Sequence, residues 1–231
     1  MLNLGLLDNE QMSEEKVKFR MYNSSLILSN LSFKDANHLI EVAIDSALIC
    51  NTQSYKWVNI TNCKFELKEI LLQTSFGFNL HFRDNYIDQS QLESTYYGSG
   101  GNQDCSILEE TYEQTLFQIF ENNTFYGFNN DKYQNIYFEQ FFGDTQFLNN
   151  KFYGNQQSPF TSPIYFQFQD TCQKDHAERR ILFKGNIIDY GQIPYYENNL
   201  LQIEYQKSAY SHLTVEIIDN IIQNTIYGVQ D

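Results

Sequence analysis

The apolar positions of this chain recur in a six-residue pattern: apolar, any, Asn-like, Asn-like, any, apolar. It occurs as Leu28 to Phe33, Ile60 to Phe65, Phe82 to Ile87, Phe120 to Phe125, Phe147 to Phe152, Phe183 to Ile188 and Ile217 to Ile222. The third position reads Asn30, Asn62, Asp84, Asn122, Asn149, Gly185 and Asp219, and the fourth reads Leu31, Cys63, Asn85, Asn123, Asn150, Asn186 and Asn220. Two residues upstream stand Leu26, Val58, Leu80, Thr145, Ile181 and Val215, with Gln118 as the exception. That alternation predicts a strand with one face on a core. The two apolar ends of the hexapeptide are an odd number of residues apart, so a straight strand would turn one of them outward. A left-handed or bulge-like bend at the Asn pair restores the facing, and Asn, Asp and Gly are the residues that tolerate it.

Each copy is followed by an apolar residue and then Glu or Gln: Ile40-Glu41, Leu72-Gln73, Leu108-Glu109, Phe138-Glu139, Phe166-Gln167, Leu201-Gln202 and Val229-Gln230. This predicts a second strand per repeat with an outward Glu/Gln row. Successive fourth positions are 32, 22, 38, 27, 36 and 34 residues apart. Fixed elements joined by connections of variable length describe a solenoid with insertions on its rim. Helical repeats would hold a constant period and use Ala, Leu, Glu and Lys, whereas these segments are rich in Phe, Ile, Tyr, Asn and Gln. The fold expected is therefore all-β: a right-handed parallel β-helix of about seven coils, with Phe33, Phe65, Ile87, Phe125, Phe152, Ile188 and Ile222 forming one stacked core row.

A recurring turn Asn with Phe and Ile stacked inside resembles the pectin-lyase-like β-helix, over residues 17 to 230. The Asn-rich and Phe-rich character is also similar to large surface repeat proteins of protists. The resemblance implies the architecture and leaves activity open, because lyases, hydrolases, esterases, tailspikes and adhesins share that fold. Residues 1–16 are expected to be a flexible or partial segment and 17–231 a single β-helix domain, a piece of a longer protein, with Val17, Phe19 and Arg20 as the tail of an earlier strand.

Composition narrows the function. With 29 acidic and 15 basic residues the net charge is −14, which disfavours a nucleic-acid partner. No 18-residue apolar run and no signal-peptide pattern stand in the chain. Cys50, Cys63, Cys105 and Cys172 form no CxxC pair, so no metal or other cofactor is expected; two disulfides and four buried thiols both remain open. Sequons at Asn23, Asn30, Asn59 and Asn122 permit a secreted glycoprotein. Asn30 and Asn122 fall in the turn, where a glycan is expected to crowd the next coil.

An enzyme would require clustered acids on one face. Glu109 and Glu139 occupy equivalent places in consecutive repeats and would lie about 4.8 Å apart, as paired acid–base carboxylates or Ca²⁺ ligands would. Gln fills the same place in four other repeats, which reads instead as an outward, solvated row. His81, Arg83 and Asp84 group a base, a cation and an acid, but they belong to an ordinary hexapeptide in which His81 and Arg83 face solvent. Two residues before the Glu/Gln row stand Leu39, Leu71, Ile107, Tyr137, Tyr165 and Leu200, with Gly228 in the last repeat. Strict alternation makes these an exposed stripe, although a corner could turn them inward. The candidate binding face is therefore Tyr137, Tyr165, Glu109 and Glu139, with no catalytic residue assigned. The expected function is a non-catalytic structural or recognition segment of an extracellular or cell-surface protein, taking a polysaccharide or another surface protein. The alternative is a carbohydrate-active enzyme, a lyase or glycoside hydrolase, using one face and the loop from Gln89 to Cys105.

Overall fold

The computed structural model describes residues 25–36, 40–43, 56–67, 72–75, 78–88, 90, 97–99, 117–127, 136–139, 143–154, 164–168, 179–189, 201–205 and 213–224. These residues form a parallel β-helix of three sheets. The first sheet stacks β1 (Leu26–Ser29), β4 (Lys56–Thr61), β7 (Phe78–Arg83), β10 (Phe117–Glu121), β13 (Gly143–Leu148), β16 (Arg179–Lys184) and β19 (Leu213–Ile218), in that order. The second stacks β2 (Ser32–Ala36), β5 (Lys64–Leu67), β8 (Tyr86–Asp88), β11 (Thr124–Tyr126), β14 (Lys151–Tyr153), β17 (Ile187–Asp189) and β20 (Ile221–Gln223). The third holds β3 (Ile40–Ala43), β6 (Leu72–Ser75), β9 (Tyr97–Ser99), β12 (Ile136–Glu139), β15 (Ile164–Phe168) and β18 (Leu201–Tyr205). Every pairing among them is parallel, so each coil contributes one strand to each of two or three sheets.

The hexapeptide is the corner between the first two sheets, and its two Asn-like positions have separate tasks. The third residue of every copy, Asn30, Asn62, Asp84, Asn122, Asn149, Gly185 and Asp219, has a φ between 53° and 67°. This is the left-handed region, which Asn, Asp and Gly enter at least cost. One residue turned this way makes the first, fourth and sixth positions face inward. In the third copy Phe82, Asn85 and Ile87 are buried, while Arg83, Asp84 and Tyr86 are exposed.

The fourth residue then lies inside the corner, where from the third copy onward it is Asn, because the bend leaves two backbone groups to be met by a side chain of the adjoining coil. Asn150 shows the solution: its Nδ2 donates to the Phe120 carbonyl at 2.8 Å, and its Oδ1 accepts from the Asn123 backbone N–H at 2.9 Å and from Asn123 Nδ2 at 3.0 Å. Asn85, Asn123, Asn186 and Asn220 repeat this, donating to the carbonyls of Ile60, Phe82, Phe147 and Phe183. Direct backbone bonds carry the rest of the corner, such as Asn122 N–H to Leu148 and Lys151 N–H to Asn123. The ladder ends at Cys63, whose N–H donates to Asn85 Oδ1 at 2.8 Å and whose thiol is free and buried.

Inside, the expected core row holds in register: Phe33, Phe65, Ile87, Phe125, Phe152, Ile188 and Ile222 are successive partners. A second row runs parallel through Leu28, Ile60, Phe82, Phe120, Phe147, Phe183 and Ile217. Identical spacing lets like residues stack. The rings of Phe120 and Phe147 are 4.8 Å apart, those of Phe147 and Phe183 4.5 Å, and those of Phe125 and Phe152 4.9 Å, all nearly parallel. Gln118, the exception in the upstream apolar row, nonetheless takes its place in that row, in register with Leu80 and Thr145 and buried. Gly127, at φ +74°, packs so closely on the following residues of the previous coil that a Cβ would lie 2.6 Å from the Ser90 nitrogen.

Two stability predictions follow from these contacts. Asn150→Val strands the Phe120 carbonyl and the Asn123 N–H in a dry corner, and should cost about 1–3 kcal/mol in denaturant unfolding. Thr145 is wholly buried, with no partner for Oγ1 among the described residues. Thr145→Val removes that hydroxyl at nearly constant shape, so it should leave stability unchanged or raise it by about 1 kcal/mol. A lowered melting temperature in Thr145→Val would mean that the hydroxyl has a partner after all.

Candidate functional site

The third sheet is where the outward Glu/Gln row was expected, and the register there differs from the sequence reading. Ile40, Leu72, Tyr97, Ile136, Ile164 and Leu201 form one row. Glu41, Gln73, Gly98, Tyr137, Tyr165 and Gln202 form the next. Val42, Thr74, Ser99, Phe138, Phe166 and Ile203 form the third. Beyond them Glu139 pairs with Gln167 and Gln167 with Glu204. The Glu/Gln residues thus divide between two rows two residues apart, and Gln202 lies beside Tyr165 rather than Gln167.

The physical reason is that the inward residue sets a strand's register. Ile136 and Ile164 are completely buried in the first row and Phe166 in the third. The strand β18 aligns Leu201 with Ile164 to continue that buried row, and this carries Gln202 to the tyrosine position. The third-sheet strand of the coil between β6 and β12 is β9. Its Tyr97 continues the row between Leu72 and Ile136, within the segment read as a loop from Gln89 to Cys105. Glu109 lies outside the described residues, and the strand paired with Glu139's strand on that side is β9.

Tyr137 and Tyr165 are brought together: they are direct register partners on adjacent coils, in the row between that of the buried Ile136 and Ile164 and that of the buried Phe166. The continuous apolar stripe expected through them is not formed, because their row continues into Gln73, Gly98 and Gln202. Leu39, Leu71, Ile107, Leu200 and Gly228 lie outside the described residues.

His81 and Arg83 lie on the outer face, as their alternation with Leu80 and Phe82 required. They do not converge on a common point: His81 Nε2 is 3.3 Å from Glu121 Oε2, while Arg83 pairs with the neighbouring Asp84 at 3.1 Å. Arg180 bridges two coils, reaching Asp144 at 3.3 Å and Glu216 at 2.6 Å, and these carboxylates, Glu216 foremost, hold its guanidinium protonated more firmly than usual. Burial pushes the Cys63 thiol above its ordinary range. Among the described residues no group of three or more His, Cys, Asp or Glu side chains is placed to hold a metal ion. No helix among them is long and apolar enough to cross a membrane.

The second sheet carries a group of aromatics that the repeat pattern did not single out. Tyr126 and Tyr153 are partners on adjacent coils, Tyr126 being 44% exposed. Tyr86 stands one coil earlier, with Lys64 Nζ 5.7 Å from its ring centre, and desolvation raises its phenol pKa. The signal was available in the residues flanking the sixth position, which alternate outward. The sequons resolve by position: Asn30 and Asn122 are exposed left-handed residues of the corner rather than members of the buried ladder, Asn59 is half-buried in β4, and Asn23 is outside the described residues.

Comparisons with family models, with curated proteins and with solved structures give no match to this chain.

The register of the third sheet can be tested by cross-linking, since adjacent-coil partners lie about 4.8 Å apart, within disulfide reach. Gln167→Cys combined with Glu204→Cys should form a bridge under mild oxidation, whereas Gln167→Cys with Gln202→Cys should form it much more slowly. Mass spectrometry of the bridged peptides separates the two, and the opposite preference would restore the single Glu/Gln row.

Proposed function

We propose that this chain is a non-catalytic structural or recognition segment of an extracellular or cell-surface protein with a pectin-lyase-like β-helix, offering its outer faces to an extended polymer. One observation carries the reading. Tyr137 and Tyr165 stand in register on adjacent coils, beside a row of Glu139, Gln167 and Glu204. Two aromatic residues in register on adjacent coils, next to a row of hydrogen-bonding residue types, suit a long chain of sugars or a partner's strand better than a small molecule in a pocket. Several described acids and bases are already engaged with one another, His81 with Glu121 and Arg180 with Asp144 and Glu216, which supports the same view. Cleavage would instead require an acid or base held in a sheltered site with a shifted pKa.

The test is retention on an insoluble polysaccharide such as pectin or alginate, with release of soluble products followed in parallel. Retention should fall when Tyr137→Ala and Tyr165→Ala are combined, without product release from either protein. Products that appear with the parent chain and vanish in Glu109→Gln or Glu139→Gln would replace this reading with that of a carbohydrate-active enzyme.

A further inference from the structure

Outward residues of the second sheet align coil by coil just as the core rows do, and one of their rows has an order that the core does not require. Asp88, Tyr126, Tyr153 and Asp189 are successive register partners on four adjacent coils. The neighbouring outer row holds Tyr86, Thr124, Lys151 and Ile187 on the same coils. Tyr126 is 44% and Tyr86 38% exposed, and Tyr153 is half-buried. Three consecutive coils in the middle of the stack thus each present one tyrosine on this face. Their rise of about 4.8 Å per coil is close to the advance of one sugar unit in an extended glycan.

The two acids close the row, and both are held in place by the chain. Ser90 donates to Asp88 Oδ1 through its backbone N–H at 3.0 Å and through its hydroxyl at 2.7 Å. Gln223 and Asn224 donate to the Asp189 carboxylate at 2.8 and 2.7 Å. A carboxylate offers about four lone-pair sites, so each acid can also accept from a ligand hydroxyl. Beside Tyr86 the corner adds an open cavity of about 320 Å³, bordered by Asn62, Lys64 and Asp84. Its volume is at the lower end of the range for small-ligand clefts.

Charge and shape select the occupant. Acids at both ends of the row, in a chain of net charge −14, repel a uronate or sulfated polymer. Lys64, whose Nζ lies over the Tyr86 ring, is bonded to Glu66 at 2.8 Å, and Arg83 is bonded to Asp84 at 3.1 Å. A protein partner fits less well, because Thr124, Lys151 and the acids interrupt the apolar surface that an interface core requires. Strands β8, β11 and β14 are also paired on both sides, which leaves no backbone edge for strand addition.

We infer that the outer face of β8, β11, β14 and β17 binds a neutral, extended glycan. Sugar rings lie against Tyr86, Tyr126 and Tyr153, and Asp88 and Asp189 accept hydroxyl hydrogen bonds at the two ends. The inference rests on the recognition role proposed above and adds to it a second face and a ligand class.

The test is native affinity electrophoresis of the full 231-residue chain in gels containing galactomannan or hydroxyethyl cellulose, with polygalacturonate as the anionic counterpart. At least one neutral polymer should retard the chain, and polygalacturonate should retard it less. Tyr126→Ala combined with Tyr153→Ala should weaken that retardation about tenfold, as the loss of two ring contacts implies. Tyr126→Phe combined with Tyr153→Phe keeps the rings and should keep the binding. Both positions face outward, so both double variants should retain the parent melting curve. No retardation by either neutral polymer, equal retardation of the alanine variant, binding lost equally in the phenylalanine variant, or stronger retardation by polygalacturonate would each overturn the inference. Tyr137→Ala with Tyr165→Ala separates the two faces: if that pair abolishes binding to the neutral polymers and the Tyr126 and Tyr153 pair does not, the third-sheet reading stands and this one falls. The reverse result places glycan binding on the second sheet and removes it from the third.

Discussion

The hydrogen bonds of one asparagine amide make this architecture possible. A parallel β-helix must turn its chain sharply at each coil while stacking coils at about 4.8 Å, and every backbone group at the turn must still find a partner. The left-handed residue at the third position makes the corner but leaves the next N–H and an earlier carbonyl unmatched. The amide of Asn85, Asn123, Asn150, Asn186 or Asn220 supplies an acceptor to one and a donor to the other. Its size and its paired donor and acceptor suit both tasks, whereas a carboxylate lacks the donor and a hydroxyl is too short to span the corner.

From that corner the remaining organisation follows. Because the amide fixes the vertical alignment of successive turns, the residues before and after it align as well, and the Phe and Ile side chains are forced into continuous stacks. Stacking in turn tolerates the irregular connections, since a coil is held by its neighbours above and below rather than by the loop that leads to it. Fourth positions 22 and 38 residues apart deliver the same register at Asn85 and Asn123. The buried residues are therefore determined by row and the outer ones by chance of composition or by function. This is why the recognition proposed above is assigned to residues outside the core rows, among which Tyr126 pairs with Tyr153 and Tyr137 with Tyr165.

Where the chain breaks its own rules, the deviations have different characters. Cys63 replaces the ladder Asn without loss of the corner, because its N–H is still capped by Asn85 and its thiol sits 3.4 Å from the Thr61 carbonyl. Gln118 and Thr145 bring polar atoms into an apolar row, and the Thr145 hydroxyl has no partner among the described residues. Gly185 occupies the left-handed position that Asn and Asp fill elsewhere, and the side chain of Asn149 leans over it, where a Cβ would approach its Oδ1 to 2.4 Å.

The hexapeptide by itself determined the repeat, the corner, the two core rows and the asparagine ladder, because each depends on local backbone chemistry acting on residues a few positions apart. Asn, Asp or Gly at a left-handed turn and an apolar residue at each inward place leave signals that variable loops do not erase. Only the tertiary structure decided the division of labour between the third and fourth positions, as both read Asn-like in sequence while one is exposed and bent and the other is buried and bonded. It also decided the third sheet. The Glu/Gln signature used to find those strands does not bear on the core, and Tyr97 holds the place beside Leu72 and Ile136 that the sequence reading gave to the Leu108-Glu109 repeat, which lies outside the described residues. The alignment of Tyr137 with Tyr165, and of Gln202 with Tyr165, followed from the burial of Ile136, Ile164 and Phe166 in neighbouring coils. An outward face inherits its register from the inward one, and that inheritance passes through contacts between coils, which no single stretch of sequence contains.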